Sequence, residues 1–203
     1  MMERRDFIGL TAAAMAVAPG LALAQQVPLN ALSQYLNQLD TVQARFVQVN
    51  EDGSQSTGTL YIRRPGRARF EYDPPDASLV MAGGGQVAIF DNRSNSKRPE
   101  QYPLRRTPLN LILERQVDLA RREMIVDHFG DAETTTLVAQ DPSAPENGRL
   151  EIVFSNSPVQ LAEWTVVDGG GSRTRVVLQG LEAGVRLPAR LFNIVLETES
   201  RGG

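Results

Sequence analysis

The stretch from residue 58 to residue 75 constrains the fold more than any other part of this sequence. It reads Gly-Thr-Leu-Tyr-Ile-Arg-Arg-Pro-Gly-Arg-Ala-Arg-Phe-Glu-Tyr-Asp-Pro-Pro. Apolar and polar residues alternate on both sides of a Pro-Gly pair that is typical of a tight turn, so the stretch predicts a β-hairpin. Because successive side chains of a strand point to opposite faces, the hairpin has one charged face and one apolar face. The apolar face carries Leu60, Ile62, Ala68, Phe70 and Tyr72.

Short segments with strand-like patterns recur along the rest of the chain and predict a mainly β fold. They span residues 42–50, 78–82, 87–91, 124–130, 134–140, 149–155, 161–167, 174–179 and 193–198. With the hairpin they make about ten to eleven strands at regular spacing, which favours an antiparallel meander that closes toward a barrel. Because eight strands enclose a space that their own side chains just fill, a larger count leaves room for a ligand.

Three segments predict helices that interrupt or cover this sheet. Residues 28–40 carry leucines at helical spacing, residues 107–113 begin with Thr107 as a cap and Pro108 in the first turn, and residues 116–122 form a second short helix. Residues 92–106 are polar without periodicity and predict a long loop. These patterns fit two arrangements. One is a solid core between sheet and helices, and the other is a hollow half-barrel under a helical lid.

The first 24 residues predict a cleavable signal peptide, because Arg4 and Arg5 precede an apolar run that ends in a small-x-small cleavage site at Ala24. Two arginines before x-Phe-aliphatic also resemble a twin-arginine signal. Export by the Sec route and export by the twin-arginine route both remain open. Residues 25–203 are then expected to form a single domain, monomeric and periplasmic. Residue 25 is not a cysteine, so we expect no lipid anchor there.

Residue types argue against most enzymatic chemistry. The chain has no cysteine and one histidine, His128, so a Ser-His-Asp triad would have to use that histidine, and a zinc site lacks its usual ligands. No Gly-x-Ser-x-Gly motif accompanies it. His128 lies in an apolar segment, where a structural or surface role is the simpler interpretation; a hydrolase that uses it is a distant alternative. A net charge of −3 without any basic tract argues against a nucleic-acid partner. We therefore expect no catalytic residues, no metal and no cofactor.

The order and spacing of several residues resemble the LolA family of periplasmic outer-membrane lipoprotein carriers. The matching positions are Phe46-x-Gln48, Gly58-x-Leu60, Arg64-Pro65, Phe70-x-Tyr72, Pro75, Leu79-Val80 and Gly85, with Thr107-Pro108 similar to the family's mid-chain helix. The resemblance implies an incomplete antiparallel barrel of about eleven strands with a lid of short α-helices. It also implies a carrier that accepts acylated lipoproteins from an ATP-driven inner-membrane release complex (LolCDE) and delivers them to an outer-membrane receptor (LolB).

The resemblance and the strand faces together suggest site residues. We expect Leu60, Ile62, Phe70 and Tyr72 to line an acyl-chain cavity, and Leu109, Ile112 and Leu113 to line its lid. Arg64 corresponds to the family's arginine before proline, and the resemblance implies that it latches the lid through hydrogen bonds to the helices. Arg63 is a second candidate for that role. A carrier or sensor for another lipid or lipid-linked ligand stays open, because Ile89 and Asp91 stand where the family commonly has large aromatic residues.

Overall fold

The computed structural model describes residues 26–92, 94, 98–107 and 109–202. The expected signal peptide and Pro108 therefore lie outside the described residues. The helices are α1 (Leu29–Gln38), α2 (Leu109–Leu113) and α3 (Ile194–Ser200). The strands are β1 (Thr41–Val49), β2 (Gln55–Arg63), β3 (Arg67–Tyr72), β4 (Leu79–Gly83), β5 (Gln86–Phe90), β6 (Glu100–Pro103), β7 (Ile125–Gly130), β8 (Thr134–Gln140), β9 (Gly148–Asn156), β10 (Val159–Asp168) and β11 (Arg173–Ala183).

All eleven strands belong to one antiparallel sheet, in the order β6-β5-β4-β3-β2-β1-β11-β10-β9-β8-β7. Strands adjacent in sequence pair with each other, except β6 and β7, and the β1–β11 pair joins the two halves of the chain. The predicted hairpin is β2–β3, with Leu60 opposite Phe70 and Ile62 opposite Ala68. The sheet ends at β6 and β7, which pair with β5 and β8 but, within the described chain, not with each other. The predicted fold class, an incomplete antiparallel barrel with short helices, is confirmed.

The segment from residue 104 to residue 124, which we call the lid, connects the two edge strands β6 and β7. It contains α2 and short 3-10 turns at Leu104–Arg106 and Leu119–Arg121. Its apolar side chains join α1 and the inner face of the sheet in one core. Backbone N–H groups of the lid also bond to α1, since Val117 donates to the Asn37 side chain and Leu119 to the Ser33 hydroxyl. In place of the helix expected at 116–122, the structure has only the 3-10 turn Leu119–Arg121.

Gly58 on β2 provides the space for the core ring of Phe46. A Cβ atom at this position would lie 2.2 Å from the Glu71 carbonyl oxygen and 2.5 Å from the Phe46 Cζ atom. Because neither neighbour can move away freely, we expect Gly58→Ala to lower the free energy of unfolding by about 1–3 kcal/mol. Denaturant titration measures the loss.

The matched control for this change is Gly170→Ala in the β10–β11 turn. A methyl group there meets only the Oδ1 atom of the exposed Asp168 side chain, at 3.3 Å, so a small shift relieves the contact and the expected change is within about 0.5 kcal/mol. Equal losses in the two variants would contradict the close approach at Gly58.

The prediction of a strand at residues 193–198 is wrong, because this segment forms α3. The Asn193 side chain caps the helix by accepting a hydrogen bond from the Leu196 N–H, 3.1 Å away. The helix packs on the outer face of the sheet, where Ile194 covers a second apolar cluster formed by Leu79, Met81, Ala88 and Phe90. Arg69 of β3 fixes it there with an ion pair to Glu197 at 3.0 Å. Capping and burial thus outweigh the strand preference of the β-branched residues.

The prediction of a loop over residues 92–106 is also partly wrong. Residues 93 and 95–97 lie outside the described chain, but the segment ends in the edge strand β6 and a 3-10 turn. β6 pairs with β5, with Tyr102 opposite Val87. Among the described residues no helix is both long and apolar enough to cross a membrane.

Candidate functional site

An apolar cavity of about 210 Å³ lies between the inner face of the sheet and α2. It sits toward the end of the sheet that carries the β1–β2 and β10–β11 turns, because Gln48 and Thr174 on its wall are next to those turns. Ten of its lining side chains are aliphatic or aromatic and three are polar. The wall consists of Gln48, Phe70, Tyr72, Val80, Val87, Thr107, Leu109, Ile112, Leu150, Trp164, Val166, Thr174 and Val176.

Four of the residues expected at the acyl-chain site lie on this wall: Phe70 and Tyr72 from β3, and Leu109 and Ile112 from α2. Leu60, Ile62 and Leu113 are buried in the adjoining core instead, with 0%, 3% and 0% exposure. The strand alternation identifies the correct face of β2, but these leucine and isoleucine side chains lie where α1 and the lid fill the interior. Ligand binding by all seven residues stays a prediction.

The second half of the chain supplies five wall residues that the sequence analysis did not name. They are Leu150, Trp164, Val166, Thr174 and Val176. The alternation of Leu150, Ile152 and Phe154 along β9 was the available signal, because it marks which face of that strand is buried. Alternation alone does not tell how far along a strand the solid core gives way to a cavity.

Arg64 lies at the opposite end of the sheet, in the β2–β3 turn, and ties the lid to α1. Its guanidinium donates to the Leu36 carbonyl of α1 and to the Glu114 carbonyl that follows α2, the latter from Nε at 3.1 Å. Its Nη2 atom also lies 3.3 Å from the Asn37 side-chain oxygen. Burial lowers the pKa of Arg64, and the negative charge of Asp40 opposes this shift. An arginine remains protonated in this setting, so it bonds to the carbonyls as a cation.

Arg63, the second candidate, points to a different part of the molecule. Its guanidinium donates to the carbonyl oxygen of Leu187, in the C-terminal segment, at 3.0 Å. Of the two adjacent arginines, Arg64 is therefore the one in contact with α1 and the lid. Its action as a latch during ligand entry stays a prediction.

Two wall residues, Gln48 and Tyr72, are joined by a hydrogen bond at the cavity. The Tyr72 hydroxyl donates to the Gln48 side-chain oxygen at 2.7 Å, and the Gln48 amide donates to Asn50 at 2.9 Å. Burial, reinforced by the negative charge of Asp76, raises the pKa of Tyr72 to about 12. The phenol is therefore neutral at physiological pH, and the cavity wall carries no charge of its own.

His128 lies outside the cavity, on the edge strand β7. Its ring nitrogens lie 3.0 Å from the Val27 carbonyl oxygen and 3.3 Å from the Gln26 side-chain nitrogen. These contacts hold the segment before α1 against the sheet, together with a bond from the Val27 N–H to Thr135 at 2.8 Å. Within the described ranges, His, Asp and Glu side chains form no group of three that could hold a metal ion.

Comparison with solved structures places this sheet and its helical cover in a known fold. An uncharacterized conserved protein from Thermus thermophilus superposes with a TM-score of 0.50 at 10% identity, over 81% of this chain and 91% of that one. A DUF1329 family protein from Desulfovibrio piger gives a TM-score of 0.50 at 11% identity, over 81% and 94%. At such identities these likenesses concern the fold alone.

Sequence comparison identifies the family. The outer-membrane lipoprotein carrier protein of Methylococcus capsulatus is 29% identical over 177 residues, which cover 83% of this chain and 84% of that protein. The protein of the same name from Coxiella burnetii is 28% identical over 195 residues, or 91% and 90%. The sequence profile described as "Outer membrane lipoprotein carrier protein LolA" matches residues 37–195, well over half of the chain. The chain therefore belongs to the LolA family of outer-membrane lipoprotein carriers.

Proposed function

We propose that this protein is a periplasmic carrier that shields the acyl chains of lipoproteins in the cavity under the lid. The observation that supports it most directly is the uncharged, mostly apolar cavity, roofed by α2 and tied shut at its far end by Arg64. Membership of the LolA family and the names of the curated relatives point to the same role. The protein would be exported with a cleaved signal peptide, work as a monomer and catalyse no reaction.

The energetics of acyl chains explain why such a carrier is needed. Each methylene group removed from water is worth about 0.8 kcal/mol, so a chain of about sixteen carbons costs on the order of 10 kcal/mol to leave exposed. A lipoprotein with two or three chains cannot cross an aqueous compartment without cover. Contact with apolar side chains is non-directional, so a cavity of this kind holds chains of different length and saturation.

The size of the cavity implies that the lid moves when cargo enters. At about 210 Å³ the cavity is smaller than the roughly 300–1,000 Å³ of ordinary small-molecule sites. Several acyl chains need more room than that. Leu109 and Ile112 of α2 form the roof, and this helix is a short one of five residues. We infer that the described form is the closed one, and that loading separates the lid from Arg64.

In this proposal the carrier takes acylated lipoproteins from the inner-membrane release complex (LolCDE) and passes them to the outer-membrane receptor (LolB). The release complex provides the energy. The carrier then needs only an affinity for lipoproteins that lies between the affinities of the release complex and the receptor. Closure of the lid after transfer then stabilises the carrier without cargo, which makes the return of the cargo from the receptor less favourable.

Filling the cavity tests the proposal. We expect native mass spectrometry of the protein purified from periplasm to show co-purified acylated protein, and Val80→Trp, which inserts a large ring into the cavity wall, to reduce its amount at least tenfold. Val195→Trp is the matched control, because Val195 is 64% exposed on the outer-face helix α3. Co-purified free lipid alone would favour a carrier or sensor for another lipid. Equal cargo in the two variants would contradict the proposed site.

A further inference from the structure

A second cleft, of about 610 Å³, adjoins the apolar cavity. The two share Thr107 of the lid, Leu150 of β9 and Val166 of β10 on their walls, so they border one another along these residues. The cavity wall is uncharged, whereas the cleft contains many charged side chains. A ligand that spans both would be apolar at one end and charged at the other.

The charge of the cleft is positive. Four arginines line it against two carboxylates, and its ionisable residues are Arg105, Arg106, Glu114, Arg122, Asp141 and Arg149. Two of the arginines are neutralised, because Arg122 pairs with Glu114 and Arg149 pairs with Glu151 at 2.9 Å. The Asp141 carboxylate accepts hydrogen bonds from Ser143 within its own turn, and these lower its pKa.

Arg105 and Arg106 are the two arginines that remain. Both are exposed, and neither forms an ion pair or a side-chain hydrogen bond within the described part of the chain. They stand directly before Thr107, which belongs to both walls. Two unpaired guanidinium groups at the mouth of an acyl-chain cavity suit a phosphate, which arginine can bind through two parallel N–H bonds.

We propose that the cleft binds the phosphate of an anionic glycerophospholipid whose acyl chains occupy the cavity. This inference rests on the proposed function in one respect, namely that the cavity accepts acyl chains. A glycerophospholipid carries its phosphate on the same glycerol as its chains, which matches a cleft that begins where the cavity wall ends. In an acylated protein the corresponding glycerol position carries an uncharged thioether, and the first carboxylate lies further along the peptide. The arginine pair therefore selects a second class of cargo.

The single tryptophan of the chain, Trp164, reports on binding because it lies on the cavity wall. Trp164 fluorescence of the full mature protein is titrated with dioctanoyl phosphatidylglycerol and with dioctanoylglycerol, which has the same chains but no phosphate. We expect the phospholipid to bind about tenfold more tightly at low salt, and the difference to shrink at high salt because exposed charges are screened.

The variant that tests the arginine pair is Arg105→Gln combined with Arg106→Gln. Its affinity for phosphatidylglycerol should fall about tenfold, to that of dioctanoylglycerol, and its affinity for dioctanoylglycerol should stay unchanged. Arg186→Gln combined with Arg190→Gln is the matched control, because both arginines are exposed and neither lines the cleft. The control should keep the wild-type preference. Because the substituted side chains are exposed, the unfolding midpoints of both variants should equal that of wild type.

The remaining outcomes separate the possible errors. Equal affinity of wild type for the two lipids, or an unchanged preference in the cleft variant, overturns the phosphate site and leaves the lipoprotein carrier intact. Binding of neither lipid overturns both proposals, because the cavity then takes no acyl chains. Inorganic phosphate that competes as well as the phospholipid assigns the cleft to free anions. Competition by an acidic peptide without acyl chains assigns it to protein, and either result overturns the lipid site.

Discussion

The variant Arg64→Leu is expected to hold acylated cargo about 10- to 100-fold more tightly than wild type and to release it correspondingly more slowly. In the closed form Arg64 donates to the carbonyls of Leu36 and Glu114. In the proposed cycle these bonds are lost when the lid rises, so they stabilise the closed form against the loaded one. A hydrogen bond to a charged donor contributes about 1.5–3 kcal/mol, and every 1.4 kcal/mol changes a dissociation constant tenfold. Because Arg64 is only half-buried, its bonds fall at the lower end of this range.

Transfer of a labelled lipoprotein from the purified carrier to purified receptor measures this effect. Arg63→Leu is the matched control, because the Arg63 side chain bonds to the Leu187 carbonyl and, within the described residues, donates no hydrogen bond to α1 or the lid. It should release cargo within about twofold of wild type. The release rate of Arg64→Lys should fall between those of Arg64→Leu and Arg63→Leu. An ammonium group keeps the positive charge, but it cannot reach two separated carbonyls as the planar guanidinium does. Release from Arg64→Leu at the wild-type rate would rule out a latch.

The second large effect is expected for Phe46→Ala in the core. Phe46 is 1% exposed, and its ring makes edge-on contacts with Phe70 at 5.7 Å and with Tyr72 at 5.0 Å between ring centroids. Removing a buried phenylalanine ring costs about 3–5 kcal/mol, a large share of the roughly 5–15 kcal/mol by which a domain is stable. Since Phe70 and Tyr72 belong to the cavity wall, the variant should also bind acyl-chain ligands less tightly.

Denaturant unfolding followed by circular dichroism measures the loss of stability. Phe129→Ala removes the same ring from the edge strand β7, where it is 50% exposed, and should change the free energy of unfolding by less than about 1 kcal/mol. If the two variants were equally stable, the aromatic cluster around Phe46 would not be the centre of the fold.

The hairpin at residues 58–75 was predictable because one physical signal determines it. Leu60, Ile62 and Phe70 alternate with charged or polar neighbours, and a sheet with one buried face accepts that pattern in one register only. The same signal identified β9, where Leu150, Ile152 and Phe154 are all buried. The general architecture could therefore be predicted from local alternation.

Elements whose form depends on distant contacts were not predictable in this way. The run Ile194-Val195-Leu196 favours a strand by itself, and it is helical because Asn193 caps it and the outer face of the sheet receives Ile194. β6 is a strand because β5 offers it an edge, although its sequence lacks apolar alternation. In both cases the partner lies elsewhere in the chain, so no local pattern reveals it.

The candidate site was likewise predictable where local alternation determines it and not where distant contacts do. Strand parity placed Phe70 and Tyr72 on the correct wall, and it placed Leu60 on the correct face. It could not show that Leu60 lies in the filled part of the interior. Which positions along a strand are filled depends on where α1 packs against the sheet, and strand parity carries no information on that. The arginine cleft was not predicted for a similar reason, since Arg105 and Arg149 line one cleft only after the strands are in order.

The lid that bridges β6 and β7 has a mechanical consequence. A barrel closed by backbone hydrogen bonds on every side has a fixed circumference, because strand number and register determine it. Here the final seam consists of side chains and a connecting run of peptide, so the circumference can grow without breaking a single strand pair. For the proposed carrier we therefore expect a width that adjusts to the bulk of the load and returns to its resting value after release.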